Sequence, residues 1–411
     1  MKGEKSVRPK ADALYINKLN KIKVLGLIRE AGPVSRADLV KRTGLSAPTV
    51  TRIVDGLIRD EKLVTEVGMG SSSGGRPPLL VKFNGEQNYV IGIDLGATFT
   101  RGALSNLDGK FIHEIKIPTR LESGFEAIMD DLSELIHRLG NGNRKVRKQR
   151  IFGVGIAVAG LINRQKNLIE YSPDFDWYNV DILNVLGKHC DYPVIFDNVT
   201  RLMALGGLSY GAGQKLQNFI CVNVGYGIGA GIIADGKLLM GADGFAGEFG
   251  HITVETDSDI QCSCKKYGCL EALASGKAIA LTARSRLARG QSSLLVDLCG
   301  GDINKVTAKM VADAARKGDV LASNVFKRAM DHIGIGISNL INIFNPELVT
   351  IGGGVSLAGD IFFDNIRKSV ERNIMQPTSR KVSILPVSFG ENAALMGAFA
   401  LILNRILNMD L

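Results

Sequence analysis

Three cysteines fall within eight residues, Cys262-Ser263-Cys264 and then Cys269, and His251 stands eleven residues before them in Gly247-Glu248-Phe249-Gly250-His251. Three thiolates and one imidazole make a closed tetrahedral set that zinc favours. Four protein ligands leave no position for a reacting water, so the metal (Zn2+) reads as structural. The other reading is a chance crowding of free thiols. Glu271 follows Cys269 by two residues. A metal knot here would fix where Glu248, His251 and Glu271 point, and three polar groups held beside one cleft suit a polyhydroxyl ligand. Of the six cysteines, Cys190, Cys221 and Cys299 are scattered and read as small buried hydrophobes. Nothing suggests a disulfide framework or export, so the expected compartment is the cytoplasm.

A second chemistry is written in glycines. Tyr89–Ile93 reads as a buried strand running into Asp94-Leu95-Gly96-Ala97-Thr98. Phe219–Val224 runs likewise into Gly225-Tyr226-Gly227-Ile228-Gly229, and Leu348–Ile351 into Gly352-Gly353-Gly354. Backbone N–H groups in such turns can cradle phosphates, and Asp94 could hold a metal–phosphate pair. One such turn is a weak signal. Three, well separated, are the layout of a two-lobed nucleotide-binding α/β fold with a cleft; Ile151–Val158 supplies another buried strand.

The elements that would position these groups occupy most of a 411-residue chain with 45% hydrophobic and 22% charged residues, ordinary globular usage. No apolar run reaches the roughly 20 residues of a membrane span. The formal charge of +9 is uneven: residues 1–80 hold 15 Lys+Arg against 8 Asp+Glu. Charge alone leaves open a polyanion-binding module or a merely solvated basic face. The helical pattern narrows this. Residues 15–31 read as a helix stopped by Gly32-Pro33. Ser35 can cap a second helix, Thr43-Gly44-Leu45 forms a turn, and Ser46 can cap a third. That third helix repeats Val50, Ile53, Val54, Leu57 and Ile58 on one face and Thr49, Thr51, Arg52 and Asp55 on the other, which predicts a helix-turn-helix. Leu63–Thr65 and Leu79–Val81 bracket a Gly/Ser-rich hairpin ending in Gly75-Arg76-Pro77, the wing of a winged helix. Ser46, Thr49, Thr51 and Arg52 are the major-groove candidates, and Arg76 the minor-groove one. Lys5, Arg8 and Lys10 form a basic arm that either touches phosphates or is only a tail.

These motifs together resemble the ROK family of sugar kinases and sugar-responsive transcription regulators. The resemblance runs from about residue 20 to the C-terminus. Its most specific parts are residues 247–251, Cys262–Glu271 and the Gly-Arg-Pro-Pro wing at 75–78, with Asp94–Thr98 and Pro346–Val355 also matching. It implies an N-terminal winged helix-turn-helix followed by a two-lobed actin-like (ribonuclease H-like ATPase) sugar-kinase fold. It implies His251, Cys262, Cys264 and Cys269 as zinc ligands. Asn198, Glu248, His251 and Glu271 become sugar contacts, with Asp174 at a further contact where the family carries Asn. His251 would give one ring nitrogen to the metal and the other to the ligand.

The departures from the family decide the expected function. The kinases' N-D-A-N segment reads Asn198-Val199-Thr200-Arg201, so Val199 stands at the catalytic base. Valine cannot take a proton, and general-base help is worth about 10²–10⁴ in rate. Asp197 falls at the family's variable position. The phosphate turns (Asp94, Gly96, Thr98, Gly225, Gly227 and Gly353) have drifted, with Phe99 for a Lys and Tyr226 for a Thr, which points away from productive ATP binding. The Asp174 exchange would alter sugar preference, with Trp177 packing nearby.

The resulting expectation is a sugar-responsive DNA-binding repressor of carbohydrate uptake or catabolism genes, xylose metabolism included, and not an enzyme. A sugar kinase with an extra DNA-binding head and a ligand-free interaction protein are the other readings. Its partners would be operator DNA, a sugar or sugar phosphate, a second copy as dimer or tetramer, and in some regulators a protein. The expected division is 1–85 for the winged helix and arm, 86–205 for the first lobe and 206–390 for the second with the metal site. An apolar C-terminal helix within 391–411 returns to the first lobe.

Overall fold

The computed structural model describes residues 13–71, 77–142, 146–375 and 382–410. Its head holds α1 (Ala13–Ala31), β1 (Val34–Ser35), α2 (Arg36–Thr43), α3 (Ala47–Arg59), β2 (Val64–Met69) and β3 (Leu79–Phe83). Both predicted caps form: Ser35 Oγ accepts the Asp38 N–H at 3.1 Å, and Ser46 Oγ accepts the Thr49 N–H at 3.4 Å. Gly44 closes α2 at φ 70°, the left-handed conformation its sequence position needs. Val50, Ile53, Val54 and Leu57 are buried on one face of α3, and Ile58 is half-buried. Arg36 pairs with Asp55 at 2.9 Å and ties α2 to α3.

The body is built twice on one plan. In the first lobe β4 (Tyr89–Leu95), β5 (Phe99–Asn106) and β6 (Phe111–Pro118) form an antiparallel meander. α4 (Gly124–Asn141) follows, and β7 (Ile151–Val158) joins parallel to β4. The short strands β8 (Leu161–Asn163), β9 (Leu168–Ser172) and β10 (Trp177–Val180) make a separate small sheet. α5 (Ile182–Leu186) then leads to β11 (Val194–Asn198), parallel to β7, and the sheet order is β11-β7-β4-β5-β6. α6 (Val199–Tyr210) leads to the second lobe, where β12 (Phe219–Val224), β13 (Ile228–Ala234) and β14 (Lys237–Leu238) repeat the meander.

Helices α7 (Leu270–Ala274), α8 (Gly276–Ala288), α9 (Leu295–Leu298), α10 (Ala308–Arg316) and α11 (Val320–Phe344) precede β15 (Leu348–Gly352). After α12 (Asp360–Asn373), β16 (Ser383–Pro386) completes the order β14-β13-β12-β15-β16. Meander, then two parallel strands, in the same spatial order in each lobe, is the expected actin-like arrangement. Helix α13 (Ala393–Leu407) is buried along nearly its whole length and packs on β4, β7 and α6.

The head is seated on the body. Val24, Leu25 and Ile28 of α1 and Leu57 of α3 share one apolar cluster with Val90, Leu107 and, from α13, Phe399, Ile402 and Ile406. Lys18 pairs with Asp410 just beyond α13. Asn84 and Asn88 both donate to the Lys62 carbonyl, stitching the head's last loop to the first lobe.

Candidate functional site

The 3-10 turn Phe249–His251 and the loop running into α7 bring the four predicted metal ligands together. The donor atoms of His251, Cys262, Cys264 and Cys269 lie within 4.8 Å of one another, a group that can hold a metal ion. His251 Nδ1 stands 3.6 Å from Cys262 Sγ, and Cys264 Sγ 3.6 Å from Cys269 Sγ. Cys262 and Cys269 are buried and Cys264 is exposed.

Glu271 sits in the first turn of α7 and reaches two neighbours. Its Oε2 accepts the Ile228 N–H at 3.0 Å and its Oε1 the Ser263 hydroxyl at 3.5 Å. The cysteine loop is thereby joined to the second glycine turn. A Cβ on Gly227 would stand 2.6 Å from that Oε2, so glycine is required for the carboxylate to come this close. Burial raises the Glu248 carboxyl above its ordinary value; His251 and Arg201 oppose the shift and Glu271 adds to it. Asp174, in the turn between β9 and β10, is raised by burial and then by Glu271, with Lys277 opposing. The Glu271 charge of the second lobe thus acts on Asp174 of the first.

Asn198 ends β11 and caps α6. Its Oδ1 accepts the Thr200 and Arg201 N–H groups at 2.9 and 3.3 Å, and its Nδ2 donates to the Gly160 carbonyl at 2.9 Å. Val199 is half-buried at the first position of α6. Asp197 is fully buried and its Oδ1 is bonded to the Arg201 guanidinium, itself only 2% exposed. Arg164 approaches the other oxygen at 3.5 Å. Arg201 also donates to the Gly244 carbonyl, in the loop that leads to Glu248. The sequence reading missed this role for Arg201; the signal was an arginine four residues after an aspartate in an otherwise apolar helix. Trp177, three residues after Asp174, is buried, stacked at 4.5 Å on Phe175 and edge-on to Phe125 at 5.3 Å.

The glycine turns line the other half of the cleft. Asp94 is the penultimate residue of β4, and burial raises its carboxyl to about 6, with Arg101 opposing. Gly96 and Thr98 follow in the turn before β5. Gly225 N–H donates to the Gly227 carbonyl at 2.9 Å, and Gly353 adopts φ 90°. The departures from the family are open to solvent: Phe99 is 45% exposed with Lys116 over its ring at 4.1 Å, and Tyr226 is 66% exposed with Lys277 over its ring at 5.5 Å.

In the head, Ser46 is committed to capping α3, and Thr49 Oγ1 lies 2.8 Å from its hydroxyl. Thr51 and Arg52 are exposed, and Arg52 donates to Asn17 at 3.3 Å. Arg76, Lys5, Arg8 and Lys10 lie outside the described residues.

Comparison with known proteins agrees with this architecture. The ROK family pattern matches residues 90–405, and a winged helix-turn-helix DNA-binding pattern matches residues 19–63. The chain belongs to the ROK family. A ROK relative, the xylose repressor of Caldicellulosiruptor bescii, is 32% identical over 96% of this chain and 97% of its own length. A solved ROK transcriptional regulator, described as a homologue of the Escherichia coli Mlc protein, superimposes with a TM-score of 0.82 at 28% identity over 96% of this chain and 97% of its own. The glucokinase of Thermotoga maritima is 35% identical over 77% of this chain and 98% of its own length. Regulators thus match head and body alike, whereas this kinase matches three quarters of the chain. No helix among the described residues is long and apolar enough to cross a membrane.

Proposed function

We infer that this ROK protein is a sugar-responsive DNA-binding transcriptional repressor whose body senses a sugar and whose head reads an operator. The observation that carries the reading is the pairing, in one chain, of a winged helix with an exposed polar α3 face and a cleft that keeps its carboxylates while Val199 stands at the base position. Asn198, Glu248, His251, Glu271 and Asp174 are the proposed sugar contacts. Thr49, Thr51, Arg52 and Arg76 are the proposed DNA contacts, with Ser46 setting the start of the recognition helix. The division is residues 1–85 for the head, 86–205 with the C-terminal helix for the first lobe, and 206–390 for the second. The genes served are those of carbohydrate uptake or catabolism, and D-xylose is the first sugar to test because full-length relatives bear the name xylose repressor.

The metal is proposed to be zinc in a structural role. A zinc–sulfur bond of about 2.3 Å sets tetrahedral sulfur–sulfur edges of about 3.8 Å. The 3.6 Å separations of Cys264 from Cys269 and of Cys262 from His251 Nδ1 support that choice. With Nδ1 on the metal, His251 Nε2 is left for the ligand. A homodimer would place two α3 helices on half-sites about 34 Å apart.

Operator selection from random duplexes, followed by titration with D-xylose, D-glucose and N-acetyl-D-glucosamine, tests the reading. A changed DNA affinity with one of them is the expected result; sugar binding with no effect on DNA overturns it. The glucokinase relative supports a second reading, a sugar kinase with an added head. Sugar-dependent consumption of ATP, lost in Glu248→Gln, would establish it.

A further inference from the structure

Helix α6 touches both ends of the proposed sensor. Its first turn carries Asn198 as cap and Arg201, which joins buried Asp197 to the carbonyl of Gly244 in the loop leading to Glu248. Its last turn lies against the head: Arg29 of α1 donates to the Ser209 carbonyl at 3.4 Å. Tyr210 and Asp108 act electrostatically on Arg29, and Tyr210 donates to the Leu107 carbonyl at 3.3 Å. A helix of 12 residues spans about 18 Å, so one rigid body connects the two places.

The helix cannot shift alone. A Cβ on Gly206 would lie 2.8 Å from the Gly397 nitrogen, so α6 and α13 touch backbone to backbone. A Cβ on Gly231 of β13 would lie 2.6 Å from the Thr200 carbonyl and from Ala204 Cβ, so α6 is equally tight against the second lobe. Gln165 donates to the Ala242 carbonyl at 3.5 Å, and Gly244 sits on the β8 backbone. The loop that delivers Glu248 therefore rests on first-lobe groups and on Arg201. Any rearrangement of that loop around a ligand bears on the first turn of α6.

We propose that α6 is the lever between the sugar site and the DNA-binding head, with Arg201 as the positioning residue at its ligand end and Arg29 at its DNA end. The proposal rests on the sensor reading above. Ligand closing the Glu248 loop pulls on Arg201, α6 moves with the second lobe and carries α13 with it, and Arg29 transmits the displacement to α1, on which α3 packs. A ligand shifts this equilibrium only by its different affinity for the two arrangements.

The test uses the full chain, the duplex selected by the wild-type protein, and D-xylose, D-glucose and N-acetyl-D-glucosamine in turn. DNA affinity is measured by fluorescence anisotropy with and without sugar, and sugar affinity by calorimetry. The wild-type DNA affinity is expected to change about tenfold or more with the cognate sugar. In Arg29→Gln that ratio falls to within about twofold, while sugar affinity and sugar-free DNA affinity stay within about threefold of wild type. Lys18→Ala breaks a head–body contact that does not pass through α6 and keeps the wild-type ratio. An Arg29→Gln variant as responsive as wild type overturns the lever and leaves the sensor intact. A wild-type protein that binds none of the sugars, or binds one without effect on DNA, overturns the sensor reading and the lever together.

Discussion

The cysteine loop and the glycine turns differ in what their side chains do. On the sugar and metal side, polar groups are engaged in the fold itself: Glu271 accepts a backbone N–H and a hydroxyl, Asn198 caps α6, and four metal-type donors converge. On the phosphate side, aromatic rings stand in the open, with Lys116 and Lys277 lying over Phe99 and Tyr226. A group that also bonds the scaffold is costly to change, because its removal strands a buried partner. A loop that serves only a substrate can drift freely once that substrate is no longer used. Under the proposed function, the contrast is that of a binding site kept after its reaction is given up.

Removing the metal should break that contrast most severely. Cys264 is the exposed member of the set, so Cys264→Ser takes away a ligand without opening a hole in the core. The expected outcome is loss of bound metal by elemental analysis and loss of measurable sugar binding. The thermal midpoint of the second lobe should also fall, since a structural metal contributes folding free energy directly. A variant with unchanged metal content would remove Cys264 from the ligand set.

The next effect is confined to the ligand. Glu248→Gln keeps shape and removes charge; a hydrogen bond to a charged group is worth about 1.5–3 kcal/mol, so calorimetry should read sugar binding weakened about 10- to 100-fold. DNA affinity without sugar should be unchanged. The opposite variant, Arg52→Ala, should weaken DNA binding by about tenfold and leave sugar affinity alone. Arg76→Ala should mainly relax preference for A·T pairs at the half-site edges. If Glu248→Gln and Arg52→Ala each damage both activities, head and body are not separable.

What was legible in the chain was local. Strands 151–158 and 219–224 could be bounded from their apolar runs, and Ser35 and Ser46 announced their helices, because capping and periodicity act over a few residues. Cysteine spacing announced the metal-type cluster for the same reason. Long-range pairings leave no such trace. The bond of Arg201 to the Gly244 carbonyl and the seating of the head on α13 depend on residues far apart in sequence. Phe125, which meets Trp177 edge-on, lies 52 residues before it, so that contact could be known only from the packed lobe.

The smallest effect sharpens the comparison from the phosphate side. Burial raises Asp94 from 3.8 to about 6 against the pull of Arg101. A folded-state value above the unfolded one means that the native protein binds this proton more tightly. The associated stability is present below about pH 4 and is lost as pH rises through about 6. At neutral pH the charged carboxylate therefore costs up to about 3 kcal/mol. Asp94→Asn keeps the shape without the charge, so it should raise the melting temperature by about 6 °C at pH 7.5 and leave it nearly unchanged near pH 4. Such a cost persists only where the group is used or nothing selects against it. If ATP with magnesium neither binds nor stabilises the wild type, and the Asp94→Asn gain appears with sugar response intact, Asp94 is a relic of phosphate chemistry. If sugar response is lost instead, the phosphate half has kept one working residue and the contrast between the halves narrows.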